Sequence, residues 1–243
     1  MKLAVQLYSL RHHMENGENF IDILKKVKAL GFDGVEFAGF HGYSAEDLKA
    51  ALDEIGLVAV GAHMGLHDFK EENLAKTIEA GKILGAKTLG IGGADTETET
   101  SLNEVIEIMG NADKIASEQG INVYFHNHTQ EFKEPLFNTV PGTIFERLAA
   151  ACHMQIDTYW SFHAGKDNYA LISEYKDIIP HLHIKDGIDG HPMALAEGNN
   201  DLATVVKAAK DNGIEWLILE NDDPVPDGLS DITRSMQWLK ENV

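Results

Sequence analysis

The sequence predicts a parallel (β/α)8 barrel, the TIM-barrel fold of the α/β class, in one domain over residues 1–243. Three observations lead to this prediction: a length close to the roughly 250 residues typical of the fold, eight short apolar runs, and helical segments between the runs. Most runs are continuously apolar, as expected for parallel strands that are covered on both faces. A doubly wound open sheet shares this alternation, but eight regular units favour the barrel.

The predicted elements follow one another in a regular order. Strands are expected at residues 2–8, 34–38, 57–62, 86–91, 121–125, 152–156, 181–185 and 216–220. Five of these strands are preceded by a glycine suited to the left-handed cap of a helix, namely Gly31, Gly56, Gly85, Gly120 and Gly213. The helix before Gly31 has an apolar stripe from Phe20 to Leu30. Ser44, followed three residues later by Asp47, resembles a capping box at the start of the next helix.

Composition limits the possible partners and location. The chain carries 20 basic and 39 acidic residues, a formal net charge of −19, which repels nucleic acids and anionic membranes. We therefore expect neither as a partner. The chain has no apolar run of about 18 residues and starts with a strand-like segment rather than a signal peptide, which predicts a cytoplasmic protein. The lone cysteine, Cys152, is expected to be a small packed side chain.

Four predicted strands in the second half of the chain end in a side chain that can bind a divalent metal. These side chains are His126, Asp157, His183 and Glu220. They are spaced by roughly 30 residues, the length of one βα unit. Because the carboxyl ends of all strands of a parallel barrel lie on one rim, we expect the four to converge. Mixed nitrogen and oxygen ligands suit one divalent ion such as Mn²⁺, Zn²⁺, Co²⁺, Fe²⁺ or Mg²⁺, and suit Ca²⁺ less.

Two of these positions have a competing histidine. His128 follows His126 by two residues, so strand alternation sends both to the same side, and the sequence leaves open which of them binds the metal. His181 and His183 share a strand in the same way. His183 is favoured because it lies nearer the carboxyl end, and His181 is expected to have a structural or supporting role.

Six segments distributed over the chain read AVQLYSLR, GVEF, HNH, DTYW, HIKD and LILEND. Together they resemble the xylose isomerase-like TIM-barrel superfamily of sugar isomerases, epimerases and dehydratases. In that superfamily Glu, Asp, His and Glu from strands five to eight hold the metal, which implies ligand roles for Asp157, His183 and Glu220. His126 stands where the first glutamate is expected. This departure is similar to a subgroup with an H-N-H fifth strand that includes inosose dehydratase-like members.

The resemblance implies removal of a proton next to a metal-bound carbonyl. In the ketose 3-epimerases of that superfamily, two metal-bound glutamates act on opposite faces of one carbon. Here an imidazole replaces one of them, so the metal is expected to be a stronger electrophile and Glu220 to be the remaining base. Candidates for the second acid are His128, Lys185, Glu131 and Glu36, of which we expect His128 and Lys185 to be catalytic.

Four further residues are expected to contact the substrate. Glu36 lies in a buried strand, where a carboxylate needs a charged partner. His63 stands at the end of the third strand, where it can join a polyol-binding wall. Glu131 is similar to the substrate-binding glutamate that follows the fifth strand in ketose epimerases. Trp160 follows the sixth strand and is expected to stack on the apolar face of a sugar ring.

The predicted function is therefore a metal-dependent isomerase or epimerase, or a dehydratase, that acts on a sugar or cyclitol. The expected partner is a small-molecule sugar or polyol, and a homo-oligomer is compatible with this interpretation. One alternative is a divergent sugar-binding barrel without catalysis, which the imidazole at His126 keeps open. Another is an endonuclease IV-like nuclease, which the net charge of −19 disfavours.

Overall fold

Eight parallel strands close into a barrel in the computed structural model, which describes residues 1–135 and 142–243. The barrel strands are β1 (Lys2–Gln6), β2 (Gly34–Ala38), β3 (Val58–His63), β4 (Thr88–Ile91), β5 (Asn122–His126), β6 (His153–Asp157), β7 (Leu182–Ile184) and β10 (Trp216–Leu219). The two remaining strands, β8 (Asp186–Ile188) and β9 (His191–Met193), form a separate antiparallel hairpin. β1 pairs in parallel with both β10 and β2, which completes the ring. The closed ring confirms the predicted barrel.

Helices surround the ring of strands. They are α1 (Arg11–Glu15), α2 (Phe20–Leu30), α3 (Ala45–Ile55), α4 (Glu71–Leu84), α5 (Glu99–Ser117), α6 (Ile144–Ala149), α7 (Thr158–His163), α8 (Asn168–Tyr175), α9 (Leu202–Asp211) and α10 (Gly228–Asn242). Gly31 and Gly56 end α2 and α3 in the left-handed conformation, with φ of +105° and +78°. The Ser44 hydroxyl caps α3 by accepting a hydrogen bond from the Asp47 N–H at 3.0 Å. None of the described helices is long and apolar enough to cross a membrane.

Strands β1 and β7 both end earlier than the sequence predicts. β1 stops at Gln6 because the Gln6 side chain accepts a hydrogen bond from the Tyr8 N–H (3.1 Å) and starts a 3-10 turn. β7 stops at Ile184, so Lys185 lies just beyond it. The hairpin of β8 and β9 is not predicted by the sequence. Asp186 anchors the loop after it, since its carboxylate accepts from the backbone N–H groups of Ala196, Gly198 and Asn200.

The barrel interior contains both apolar and polar side chains, and the polar ones include Glu36, Thr88 and His181. Ala4, Val60 and Ile218 form a small apolar cluster. The phenol of Tyr124 donates to Glu36 at 2.6 Å. Space for this ring comes from Gly90, which faces Tyr124 across β4 and β5. A Cβ at Gly90 would clash with the backbone carbonyl oxygen of Tyr124 and lie 2.5 Å from its ring carbon Cδ2.

We expect Gly90→Ala to lower the free energy of unfolding by about 1–3 kcal/mol, the usual effect of overpacking a core. Urea denaturation measures this change. Combining Gly90→Ala with Tyr124→Leu is expected to recover only part of the loss, because the smaller side chain removes the contact with the ring but leaves the clash with the carbonyl oxygen of residue 124. Equal losses in both backgrounds would show that the ring of Tyr124 does not contribute.

Candidate active site

The structure brings His126, Asp157, His183 and Glu220 together at the carboxyl end of the barrel. One donor atom from each lies within 4.8 Å of all the others, and all four side chains are buried. We call these four residues the donor cluster. They come from the ends of β5, β6, β7 and β10, which are four consecutive strands of the ring. Closure of the barrel therefore brings together residues that are far apart in the sequence.

Asp157 has the features of a metal ligand. Its Oδ1 accepts hydrogen bonds from the N–H groups of Tyr159 and Trp160, both at 2.9 Å, in the first turn of α7. Its Oδ2 is buried, and no described residue donates a hydrogen bond to it. Burial raises the pKa of Asp157 to about 6, although Lys185, 3.4 Å from Oδ2, opposes the shift. A buried oxygen of this kind beside a second carboxylate and two imidazoles fits a divalent ion with mixed ligands.

His183 connects the donor cluster to Glu36 of β2 on the other side of the barrel. Its Nδ1 lies 3.1 Å from Glu220 Oε2, and its Nε2 lies 2.6 Å from Glu36 Oε2. Burial alone would lower the pKa of His183, but the carboxylates of Glu220 and Glu36 outweigh that effect and raise the pKa to about 10. A metal ion and a proton would compete for the Nδ1 of this ring.

His126 and His128, which the sequence leaves as alternatives, occupy different positions. His126 Nε2 points into the donor cluster, 3.9 Å from Asp157 Oδ2 and 3.9 Å from Glu220 Oε2, and His126 Nδ1 lies 2.9 Å from Gln155 Oε1. The ring of His128 packs edge-on against that of His126, with centroids 4.9 Å apart, and lies outside the donor cluster. Burial lowers the pKa of both imidazoles. The geometry thus places His126 among the candidate ligands and His128 beside them.

Lys185 supplies a buried positive charge next to the donor cluster. Its ammonium group lies 3.2 Å from Glu220 Oε2, also contacts Asp222 Oδ2, and stands 5.0 Å from the ring centre of Trp160. Burial alone would lower the pKa of Lys185, but Asp157 and the other two carboxylates outweigh it and raise the pKa. Burial alone would raise the pKa of Glu220. Lys185 and His183 outweigh that effect and hold the pKa of the Glu220 carboxyl group well below its usual range. The Lys185 side chain is therefore a fixed cation.

An open cavity of about 420 Å³ lies over the donor cluster. Its lining residues are Tyr8, Ala38, His63, Met64, Gly92, His126, His128, Glu220 and Asp222. His126 and Glu220 therefore belong to both the donor cluster and the cavity wall, while Asp157 and His183 lie behind them. Two of the predicted substrate and acid–base residues, His63 and His128, also face this space.

The other predicted contact residues lie outside that lining. Glu36 is fully buried behind His183 and accepts hydrogen bonds from surrounding side chains. Glu131 is also buried, and its Oε2 accepts from the His128 N–H at 2.7 Å. No described residue pairs with the second oxygen, Oε1, and burial raises the pKa of the Glu131 carboxyl. Trp160 is partly buried and faces Lys185 rather than the cavity.

Sequence reasoning misses three polar residues of this region. Gln155 stands two residues before Asp157, and Tyr124 stands two residues before His126. Strand alternation points both side chains into the barrel, so the signal that would have identified them is present in the sequence. Asp222 lies in the loop after β10, where the sequence gives no periodicity to orient a carboxylate.

Comparison with known proteins identifies the family. Residues 24–242 match the family described as xylose isomerase-like TIM barrel, so the chain belongs to that family. This result confirms the resemblance predicted from the motifs. Among curated proteins, the 3-dehydro-D-guloside 4-epimerase of Escherichia coli (strain K12) is 23% identical, and the alignment covers 92% of this chain and 95% of the relative.

Solved structures show the same fold. A sugar phosphate isomerase/epimerase from Parabacteroides distasonis ATCC 8503 matches with a TM-score of 0.81 at 21% identity, over 99% of this chain and 98% of that one. A probable 3-DHS dehydratase from Bacillus anthracis matches with a TM-score of 0.77 at 15% identity, over 99% of both chains.

Proposed function

We propose that this protein is a divalent-metal-dependent epimerase or dehydratase that removes a proton next to the carbonyl group of a keto-sugar or keto-cyclitol. The observation that carries the proposal is the donor cluster at the floor of an open cavity of about 420 Å³. The names of the similar proteins support it, because an epimerase that acts at carbon 4 of a 3-dehydro sugar breaks a C–H bond beside a carbonyl group.

Glu220, His128 and Lys185 have different roles in the proposed reaction. A bound divalent ion supplies Lewis-acid polarisation of the carbonyl group. Glu220, which faces the cavity, takes the proton from carbon. His128, also on the cavity wall, either returns a proton to the other face of that carbon or protonates a departing hydroxyl group. Lys185, buried behind the cavity wall, keeps Glu220 ionised so that it can act as the base.

Solvent exchange tests this proposal. The protein is loaded with Mn²⁺, Co²⁺ or Zn²⁺ and incubated in D₂O with 3-keto-glycosides, keto-inositols and ketoses. We expect at least one compound to acquire deuterium at the carbon beside its carbonyl group, with epimer or dehydrated product formed in parallel. NMR detects both events. Absence of deuterium from every compound with every metal would refute the proposed chemistry.

The cavity favours an uncharged substrate. Among the described residues that line it, Glu220 and Asp222 are acidic and none carries a fixed positive charge. Lys185 is already paired with three carboxylates, and Arg11 donates to the backbone carbonyls of Tyr8 and Asp222. The undescribed segment 136–141 reads LFNTVP and contains no lysine or arginine. A phosphate group in this cavity would therefore meet two carboxylates, while no lysine or arginine is among the described residues that line it.

We expect a neutral keto-sugar to have a kcat/KM at least about tenfold higher than its phosphate ester, because one unfavourable contact between like charges is worth more than about 1.4 kcal/mol in a partly buried site. Paired substrates that differ only in the phosphate group measure this ratio. Addition of salt provides the control, since screening is expected to reduce the difference. A preference for the ester would contradict the prediction while leaving the proposed chemistry intact.

A further inference from the structure

A buried hydrogen-bond network centred on Glu36 lies behind the donor cluster. Glu36 Oε1 accepts from the Tyr124 hydroxyl at 2.6 Å and from Gln155 Nε2 at 2.7 Å. Glu36 Oε2 accepts from Gln6 Nε2 at 2.7 Å and from His183 Nε2 at 2.6 Å. An ionised carboxylate only accepts hydrogen bonds. Each of the four neighbours must therefore present a donor to Glu36.

This requirement fixes the orientation of the Gln155 amide. With Nε2 on Glu36, the amide oxygen is turned towards two imidazoles, His126 Nδ1 and His63 Nε2, each at 2.9 Å. An amide oxygen accepts and cannot donate, so both of these ring nitrogens carry a hydrogen. A neutral His126 with its hydrogen on Nδ1 has its lone pair on Nε2. Nε2 is the nitrogen that points into the donor cluster.

His181 fixes the same amide from the other side. The Thr88 hydroxyl donates to the Val60 carbonyl at 2.8 Å, so its oxygen accepts from His181 Nε2 at 2.9 Å. The remaining nitrogen of His181, Nδ1, is then an acceptor and lies 2.9 Å from Gln155 Nε2. A flipped amide would place its oxygen against two acceptors, Glu36 and His181 Nδ1. The network therefore allows one orientation of Gln155.

We propose that Gln155 is a positioning residue that selects the metal-binding tautomer of His126, and that Glu36 directs it through the Gln155 amide. The inference rests on the metal site of the proposed function. This role of Gln155 accounts for the buried polar side chains of Glu36, Gln155 and His181 behind the donor cluster. A carboxylate ligand presents equivalent oxygens, whereas an imidazole binds a metal through one nitrogen and needs a partner that keeps the hydrogen on the other.

The first test uses the metal-free wild-type protein. Long-range ¹H–¹⁵N NMR spectra of histidine-labelled protein report which ring nitrogen carries the hydrogen, and comparison with His126→Gln assigns the signal. We expect the Nδ1–H tautomer for His126. The Nε2–H tautomer as the major form would overturn the proposal. This measurement depends on neither turnover nor metal binding, so its outcome is separate from that of the proposed function.

The second test replaces the amide. In Gln155→Met we expect His126 to become a mixture of tautomers and Co²⁺ affinity, followed by the visible absorption of the bound ion, to fall by about 10–100-fold. Thr77→Val is the matched control, because it removes a buried hydroxyl that donates to the Asp68 carbonyl at 2.7 Å and has no contact with the network of Glu36 and Gln155. We expect its Co²⁺ affinity to stay within about threefold of the wild type.

Three outcomes decide the question. A Gln155→Met protein with the wild-type tautomer and wild-type Co²⁺ affinity would overturn the proposal, as would equal losses in Gln155→Met and Thr77→Val. A wild-type protein that shows the Nδ1–H tautomer but binds no Co²⁺ would remove the proposed function and still support the action of Gln155 on His126. If Gln155→Met does not fold, the wild-type spectrum alone keeps the proposal open to refutation.

Discussion

Replacement of Glu220 by glutamine is expected to lower kcat/KM for proton exchange by about 10³-fold, the usual effect of losing a general base. Glutamine keeps the size of the side chain and one ligand oxygen but cannot take up a proton. Among the described residues, Glu220 is the only carboxylate that belongs to both the donor cluster and the cavity lining. No other carboxylate of the donor cluster is therefore placed to replace it.

The comparison requires equal metal occupancy, because glutamine is also a weaker ligand. Deuterium exchange is measured at saturating metal, with metal content determined for each protein. Glu215→Gln is the matched control, since Glu215 is exposed and pairs with Lys2 (2.6 Å) at the amino end of the barrel. We expect this control to stay within about twofold of the wild type. A Glu220→Gln enzyme that keeps more than about a tenth of its kcat/KM would contradict the assignment of the base.

Replacement of Lys185 by methionine is expected to lower the free energy of unfolding of the metal-free protein by about 3–5 kcal/mol, because it leaves buried carboxylates without their cation. Lys185 is fully buried against Asp157, Glu220 and Asp222. A divalent cation bound at the donor cluster would restore positive charge beside two of these groups. Mn²⁺ is therefore expected to stabilise Lys185→Met more than it stabilises the wild type.

Urea denaturation in EDTA and in excess Mn²⁺ measures both effects. Lys207→Met is the matched control, since Lys207 is exposed and pairs with Asp211 on one face of α9. Such a surface pair contributes little, and we expect a change below about 0.5 kcal/mol. If the two substitutions cause equal losses in EDTA, the buried ammonium group is not balancing the carboxylates around it.

The two alternatives from the sequence make different predictions about the same protein. A barrel that binds sugar without catalysis would bind keto-sugars but neither bind Mn²⁺ nor exchange deuterium. A nuclease would need a positively charged face. The described lining of the cavity instead contains Glu220 and Asp222, and the whole chain has a net charge of −19. Metal affinity together with deuterium exchange therefore separates the proposed enzyme from both.

The convergence of Asp157, His183 and Glu220 could be predicted because it depends on topology alone. Period and composition identify the strands, and a parallel barrel places all of their carboxyl ends on one rim. The same logic extends to Gln155 and Tyr124, which strand alternation directs into the barrel. The loop carboxylate of Asp222 and the hairpin of β8 and β9 have no such regularity, because irregular segments adopt shapes set by contacts distant in sequence.

Periodicity and composition are sufficient to predict the closed barrel, the helix caps at Gly31 and Gly56, and the rim at which the candidate ligands meet. Contacts between distant strands, in contrast, place His126 rather than His128 in the donor cluster and bury Glu36 behind His183, outside the cavity lining. A sequence pattern does not reveal these contacts because the partners are far apart along the chain. Glu36 and His183 are 147 residues apart, and a hydrogen bond between them exists only because the closed barrel brings their strands face to face.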